Sequence, residues 1–214
     1  MDQDRARDAG RELFDAVYAR WSELAPDARP RLFVIDGSKA LRSAIDAVFG
    51  AGQLVQRCRN HKQRNVTSHL PKDQHNQALA TMRAAFKLEP AEGLAKLEQY
   101  ASWLQREWPG AAASLREGLE ELFTVNRLGL TSSLRRCLAT TNLIDNGHSA
   151  ARDRMRRVKN WQSGEMALRW AAVAFEATSK GFRRIMGYRD LGMLKAILDE
   201  RDRDKQLAPQ AVAG

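Results

Sequence analysis

The stretch Arg31-Leu32-Phe33-Val34-Ile35-Asp36-Gly37-Ser38-Lys39-Ala40-Leu41 decides the fold. Four apolar residues run straight into Asp36, and Gly37 follows at once. An apolar run this short, with β-branched members, suits a strand covered on both faces. A carboxylate and a glycine at its carboxyl end stand where α/β folds gather their chemistry. An Asp at such a point also serves simply to turn the chain and cap a helix. The stretch alone leaves both readings open. Ser38 is placed to cap a helix that begins near Lys39 and continues through Leu41, Ile45 and Val48.

Downstream, Gly50 and Gly52 make a turn, and Gln53-Leu54-Val55-Gln56-Arg57-Cys58 reads as a second short strand. Strand, helix and strand in so little sequence predict a parallel pair joined by a crossover helix. Arg59-Asn60-His61-Lys62-Gln63-Arg64-Asn65 then opens another helix, which ends at Pro71. Upstream, residues 11–24 carry Phe14, Val17, Tyr18 and Trp21 at helical spacing, so one face of that helix is expected to pack on a core. Pro26 and Pro30 break the chain before the first strand.

From about residue 73 to 124 the text is helical throughout. Leu94, Leu97, Ala101 and Leu104 form one stripe, and Leu115, Leu119, Leu122 and Phe123 another, with Pro90 and Pro109-Gly110 between the pieces. No ionisable residue here recurs in a catalytic pattern, so the segment reads as an all-helical insertion. Trp103 and Trp108 read as core or interface side chains rather than stacking platforms. Thr140-Thr141-Asn142 starts a further helix with Thr141 as its cap. Asp145, His148 and Arg152 then stand at i, i+3 and i+7 and share one face. With Arg154, Arg156, Arg157 and Lys159 they make either a solvated basic helix or a surface for nucleic acid, and the segment alone does not choose. Apolar faces follow at Met166, Trp170, Val173, Ala174 and Ala177, and again at Leu191, Leu194 and Leu198.

Composition bounds the class. The chain has 214 residues, enough for one substantial core, and no apolar run long enough to cross a membrane. Its amino terminus is charged and shows no secretory signal, and two cysteines make no disulfide framework, so a cytoplasmic, reducing compartment is expected. The net charge of +9 points to a polyanionic partner, most simply nucleic acid. Neither an internal repeat nor a phosphate-binding glycine loop is present.

Three motifs in order carry a resemblance: Val34-Ile35-Asp36-Gly37-Ser38-Lys39-Ala40-Leu41, then Val55 to Asn65 with Cys58 and His61, then Thr140-Thr141-Asn142-Leu143-Ile144-Asp145-Asn146. With the closing Phe182-Arg183-Arg184-Ile185-Met186-Gly187-Tyr188-Arg189-Asp190-Leu191, they resemble the mutator-type transposases of bacterial insertion sequences. The resemblance implies an α/β protein, mostly α by residue count, in which a partial ribonuclease-H-like core of short parallel strands and helices carries a large all-helical insertion. It divides the chain into a core part at 1–72, the insertion at 73–134 and the third-carboxylate helix with carboxyl-terminal helices at 135–200; the charged, then Ala-, Gln- and Pro-rich end at 201–214 is expected to be a disordered tail. It also implies DNA transposition and recombination by two divalent ions, Mg2+ or Mn2+, held by three carboxylates. Such a pair, about 4 Å apart, activates the attacking oxygen and stabilises the leaving one, and takes oxygen ligands.

On that pattern Asp36 matches the second carboxylate, Cys58 and His61 the family's Cys-x-x-His signature, and Asp145 the third carboxylate, normally Glu. Asp36 and Asp145 would be metal ligands, and Arg152, Arg154, Arg156, Arg157 and Lys159 would meet DNA phosphates. Cys58 and His61 lack the second ligand pair that a structural zinc needs, so their expected task is to hold local geometry. Two departures stand out. The family's first Asp belongs on a strand upstream of residue 1, and Asp145 is one methylene shorter than Glu. A carboxylate retracted by roughly an ångström can lose ~100-fold in rate. The expectation is therefore the carboxyl-terminal part of a transposase, weakly active or inactive as this chain, with double-stranded DNA, itself or an intact transposase as partner and no membrane. The alternative is a non-catalytic DNA-binding remnant that modulates an intact transposase. A tyrosine recombinase, suggested by His148, the arginines and Tyr188, fits less well because His148 and Arg152 are not in His-x-x-Arg spacing.

Overall fold

The computed structural model describes residues 31–207 and, before them, the isolated positions 8, 11, 12, 15, 19 and 23, all six helical. Phe14, Val17, Tyr18 and Trp21, the expected face of an amino-terminal helix, lie outside the described residues. Strand β1 (Leu32–Ile35), helix α1 (Lys39–Phe49) and strand β2 (Leu54–Arg57) form the expected unit. The strands pair in parallel, Leu32 against Leu54 through Ile35 against Arg57. Asp36 Oδ1 accepts from the Ser38 N–H at 3.0 Å, and Ser38 Oγ caps α1 by accepting from Leu41 N–H at 3.3 Å.

Both faces of the sheet are covered. Phe33, Ile35 and Val55 close on Ile45, Leu41 and Phe49 of α1, with the Phe33 and Phe49 rings 5.0 Å apart. On the other face Leu32 and Leu54 pack against Val125, Leu128, Leu130 and Leu134. Gln56 is fully buried there, and its amide bridges the strand to the chain at Leu122 and Val125, accepting from Val125 N–H at 3.0 Å and donating to Leu122 O at 3.1 Å. The result is an α/β arrangement, mostly helical, with a two-stranded sheet among the described residues.

Helices α2 (Arg59–Thr67), α3 (His75–Ala85), α4 (Pro90–Leu104) and α5 (Pro109–Arg116) follow. Pro90 and Pro109 occupy the first turns of α4 and α5, where a missing N–H costs nothing. Leu97, Ala101, Leu104, Leu115, Leu122 and Phe123 are buried from the predicted stripes, joined by Met82 and by Val66 and Leu70 from the end of α2. This layer has its own core, anchored on α2. From Val125 the chain leaves it for the core behind the sheet, earlier than residue 134. Trp103 is 42% exposed and stacks on Tyr100 beside Trp108.

Five further elements follow: a single turn at Thr124–Arg127, then α6 (Ser132–Leu138), α7 (Asn142–Met155), α8 (Gly164–Ser179) and α9 (Leu191–Leu207). Three expectations need correction. The basic segment is not one helix, because α7 ends at Met155, Arg156 is its C-cap and Arg157 and Lys159 lie beyond. The apolar side of α8 is not a core face: Ala174 and Thr178 are its buried residues, while Trp170 and Val173 are exposed. Residues 201–207 are helical rather than a disordered tail, and residues 208–214 lie outside the described ones. Ionic contacts hold this last helix, since Arg31 donates to Asp199 and Asp202 and Lys195 to Asp199. No helix among the described residues is long and apolar enough to cross a membrane.

Gly93 sets the closest approach in the helical layer. A Cβ there would stand 2.4 Å from Phe123 and 2.7 Å from the Ala85 carbonyl oxygen. Gly→Ala inside a helix ordinarily stabilises by about 0.5–1 kcal/mol, but overpacking costs about 1–3 kcal/mol. Gly93→Ala is therefore expected to lower stability in urea by about 1–2 kcal/mol. Gly192→Ala, with nothing within 4 Å of the added atom, should be neutral or slightly stabilising.

Candidate active site

The site is organised by Cys58, which is fully buried between β2 and α2. Its N–H donates to Ile35 O at 2.7 Å, beside Asp36. Its sulfur lies 3.2 Å from His61 Nδ1, accepts from Thr141 N–H at 3.3 Å and lies 3.3 Å from Thr141 Oγ1. Thr141 Oγ1 donates to Asp145 Oδ2 at 2.8 Å. A hydroxyl has one proton, and the short contact to a carboxylate is the stronger use of it. Thr141 stands at the N-cap position without capping α7: its backbone, at φ −83° and ψ 10°, is not the extended form in which a cap hydroxyl accepts from the first turn, and its proton goes to Asp145. His61 Nδ1 faces both the sulfur, at 3.2 Å, and Thr141 Oγ1, at 3.3 Å. Arg59 N–H on Ala139 O (3.0 Å) and Asn60 Nδ2 on Asn142 Oδ1 (3.1 Å) stitch the starts of α2 and α7 together.

Asp36 is exposed and Asp145 half-buried, one at the end of β1 and the other in the first turn of α7. Among the described residues no three His, Cys, Asp or Glu side chains gather to hold a metal ion. Asp36 and Asp145 are hard oxygen donors of the right chemistry, but as a pair they do not complete a cage for a divalent ion or an ion pair.

Sequence reasoning missed three buried cations. Arg57 donates to Gly37 O at 3.1 Å and Glu117 O at 3.0 Å, with Glu117 Oε2 at 3.3 Å and Glu121 Oε2 at 3.6 Å. Gly37, at φ 107°, lies against this guanidinium; a Cβ there would be 3.1 Å from its Cζ. Lys62 donates to Ser114 O and to Glu117 O, the latter at 2.6 Å. Arg59 donates through Nε and Nη2 to Leu122 O, at 3.1 and 2.8 Å, and lies 4.5 Å over the Phe86 ring. A signal for Arg57 existed: it sits two residues after Val55 on a strand covered on both faces, so period two turns it inward. Burial lowers Arg59 to about 10. Burial and then neighbouring Arg57 pull Lys62 down to about 8, against the opposing pull of Glu117.

The other sequence candidates form a second, exposed region. Arg152 and Arg154 lie on α7, Arg156, Arg157 and Lys159 after it, and all five are exposed. Arg154 Nε reaches Thr178 Oγ1 at 3.1 Å, and His148 sets its ring edge against Phe175. Tyr188 carries Arg189 and Arg184 on its hydroxyl, which hold its pKa below the usual phenol value.

The family model for mutator-family transposases matches residues 29–184. The chain belongs to the mutator family of transposases. The matched span includes Asp36, Cys58, His61, Asp145 and the basic residues from Arg152 to Lys159. A curated transposase, that for insertion sequence element IS6120 of Mycolicibacterium smegmatis, is 26% identical over 172 residues, which cover 77% of this chain and 52% of the relative. The mutator-family chain described here thus spans about half the length of the curated relative it matches.

Thr141→Val should cost about 1–2 kcal/mol, the scale of a hydrogen bond to a charged group in a half-buried place. Thr141→Ser should cost clearly less in the same denaturation series, and equal losses would deny the hydroxyl its role. Lys62 makes the fold pH-sensitive. Its folded value of about 8 lies below the ordinary 10.5, so between them the unfolded chain binds more protons and stability rises with pH. Melting curves across that window should rise less steeply for Lys62→Met than for the parent.

Proposed function

We propose that this chain works in DNA-mediated transposition, bearing Asp36 and Asp145 as the second and third carboxylates of a phosphoryl-transfer site at element ends. One observation supports this most. The hydrogen-bonded path from Ile35 through Cys58 and the Thr141 N–H to Asp145 ties together motifs that are far apart in the sequence. Mg2+ or Mn2+ is the ion that such carboxylates take, and it supplies charge stabilisation at the reacting phosphorus. The described residues do not complete its ligand set, so the isolated chain is expected to bind DNA without cutting it.

Within this reading the chain's own residues position and attract. Thr141 fixes the Asp145 carboxylate, Arg57 fixes the Gly37 turn that follows Asp36, and Arg152 to Lys159 neutralise phosphates. Asp145 in place of Glu sets its carboxylate back by roughly an ångström, a ~100-fold handicap in rate. The parallel pair with its crossover helix and terminal carboxylate is the piece that a ribonuclease-H-like core would need here. A second reading, a non-catalytic DNA-binding protein that modulates an intact transposase by assembling with it, draws support from exposed Leu143, Ile144, Phe182 and Met186. These are apolar side chains of the kind another chain covers.

A DNA-binding and cleavage assay with Mg2+ or Mn2+ tests both. The chain should bind duplex DNA with an affinity that falls steeply with salt, leave it uncut, and still leave it uncut after Asp145→Glu. Metal-dependent cleavage lost on Asp36→Ala would show that its ligand set is complete after all. Absence of DNA binding at any salt would sink the transposition reading. Inhibition of an intact family member on mixing would select the second reading.

A further inference from the structure

We propose that the groove between the end of α7 and helix α8 is a subsite for an unpaired nucleotide, whose base lies on the Trp170 indole and whose phosphates meet Arg156 and Arg157. The inference rests on the DNA reading above and assigns that ligand to one place. The groove has a volume of about 690 Å³, within the roughly 300–1,000 Å³ of small-ligand sites. Its floor is apolar and open: Trp170 is 44% and Val173 58% exposed, with Ala174 and Ala177 beside them. Its rim carries Arg154, Arg156 and Arg157 against one acid, Asp153.

The two halves of this lining ask for different chemistry in one ligand. Three guanidinium groups against one carboxylate favour a polyanion. An exposed indole in a groove favours a flat, weakly hydrated face. A nucleotide has both, and its base presents a π-face only when it is out of the duplex stack. Arg154 is already held by Thr178, whose own hydroxyl is anchored on Ala174 O at 2.7 Å. That pre-orders one cation of the rim. A purely phosphate-binding patch has no use for an exposed Trp and Val floor, and an apolar helix docking there would strand three arginines.

The full chain should be titrated by fluorescence anisotropy with three probes: a mixed-sequence single strand, a blunt duplex, and a duplex with one bulged base. Trp170→Ala is expected to weaken the single strand and the bulged duplex by roughly 5- to 100-fold, the scale of base stacking on an aromatic side chain. It should leave the blunt duplex unchanged. Trp170→Phe should restore most of the loss, and Trp103→Ala, an exposed indole far along the chain on α4, should change nothing. Arg156→Ala with Arg157→Ala should weaken all three probes and flatten the salt dependence. If DNA binds but Trp170→Ala acts on no probe, or on all three equally, the subsite is overturned while the DNA reading survives. If no probe binds the parent chain, the DNA reading itself has failed. If Trp170→Ala instead turns a dimer into a monomer in sedimentation with DNA binding intact, the groove is a protein interface and the proposal is wrong.

Discussion

A buried cysteine at position 58 holds three segments of chain together. Its backbone N–H takes the carbonyl of Ile35, the last residue of the first strand, while its sulfur receives Thr141 and faces His61. None of these bonds is strong alone, since a neutral hydrogen bond contributes about 1 kcal/mol and sulfur is a weak acceptor. Their value is geometric. They bring the end of β1, the start of α2 and the start of α7 to one point, and each of these carries a residue of the proposed site. Cys58 and His61 thereby have a use that requires no metal between them.

The second constraint is electrostatic. Arg57, Arg59 and Lys62 are all buried, and between them they take carbonyl oxygens from Ser114, Glu117 and Leu122. Burying cations is expensive unless each finds good acceptors. For Arg57 and Lys62 the acceptors are carbonyls at the end of α5, the pole of a helix that favours positive charge, while Arg59 takes the Leu122 carbonyl in the turn that follows. The helical layer is therefore joined to the strand unit by fixed polar contacts as well as by Val66 and Leu70. Replacing one partner would leave the other charged or dipolar group without water or a bond, which costs more than the bond itself contributed.

Much of the frame was legible before any coordinates. The β-branched run into Asp36, the Ser38 cap, the crossover helix and the division of the helical segment at Pro90 and Pro109 follow from local rules, and local rules act where the residue sits. The buried stripes at Leu97, Leu104, Leu115 and Leu122 were legible for the same reason. Thr141 has the chemistry of a cap, but its backbone is not extended and its hydroxyl turns to Asp145 four residues on. The rest of what escaped was decided at long range. Lys62 reads as a solvated helix residue until Ser114 and Glu117 arrive from a distant turn. The apolar side of α8 has the periodicity of a core face, and periodicity says which side is apolar without saying what covers it. Residues 201–207 look too charged to be ordered, yet Arg31, just ahead of β1, supplies countercharge to Asp199 before them and to Asp202 among them.

Arg57 has a mechanical consequence. One of its terminal nitrogens is bonded to the Gly37 carbonyl and the other to that of Glu117. A guanidinium is a flat, rigid plate, so it transmits displacement between its two ends rather than absorbing it. A tilt of α5 carries Glu117 with it, and the plate passes that motion to the turn just beyond Asp36. The helical layer contributes no acid to the candidate site, but through this one side chain it is a lever on the carboxylate that does.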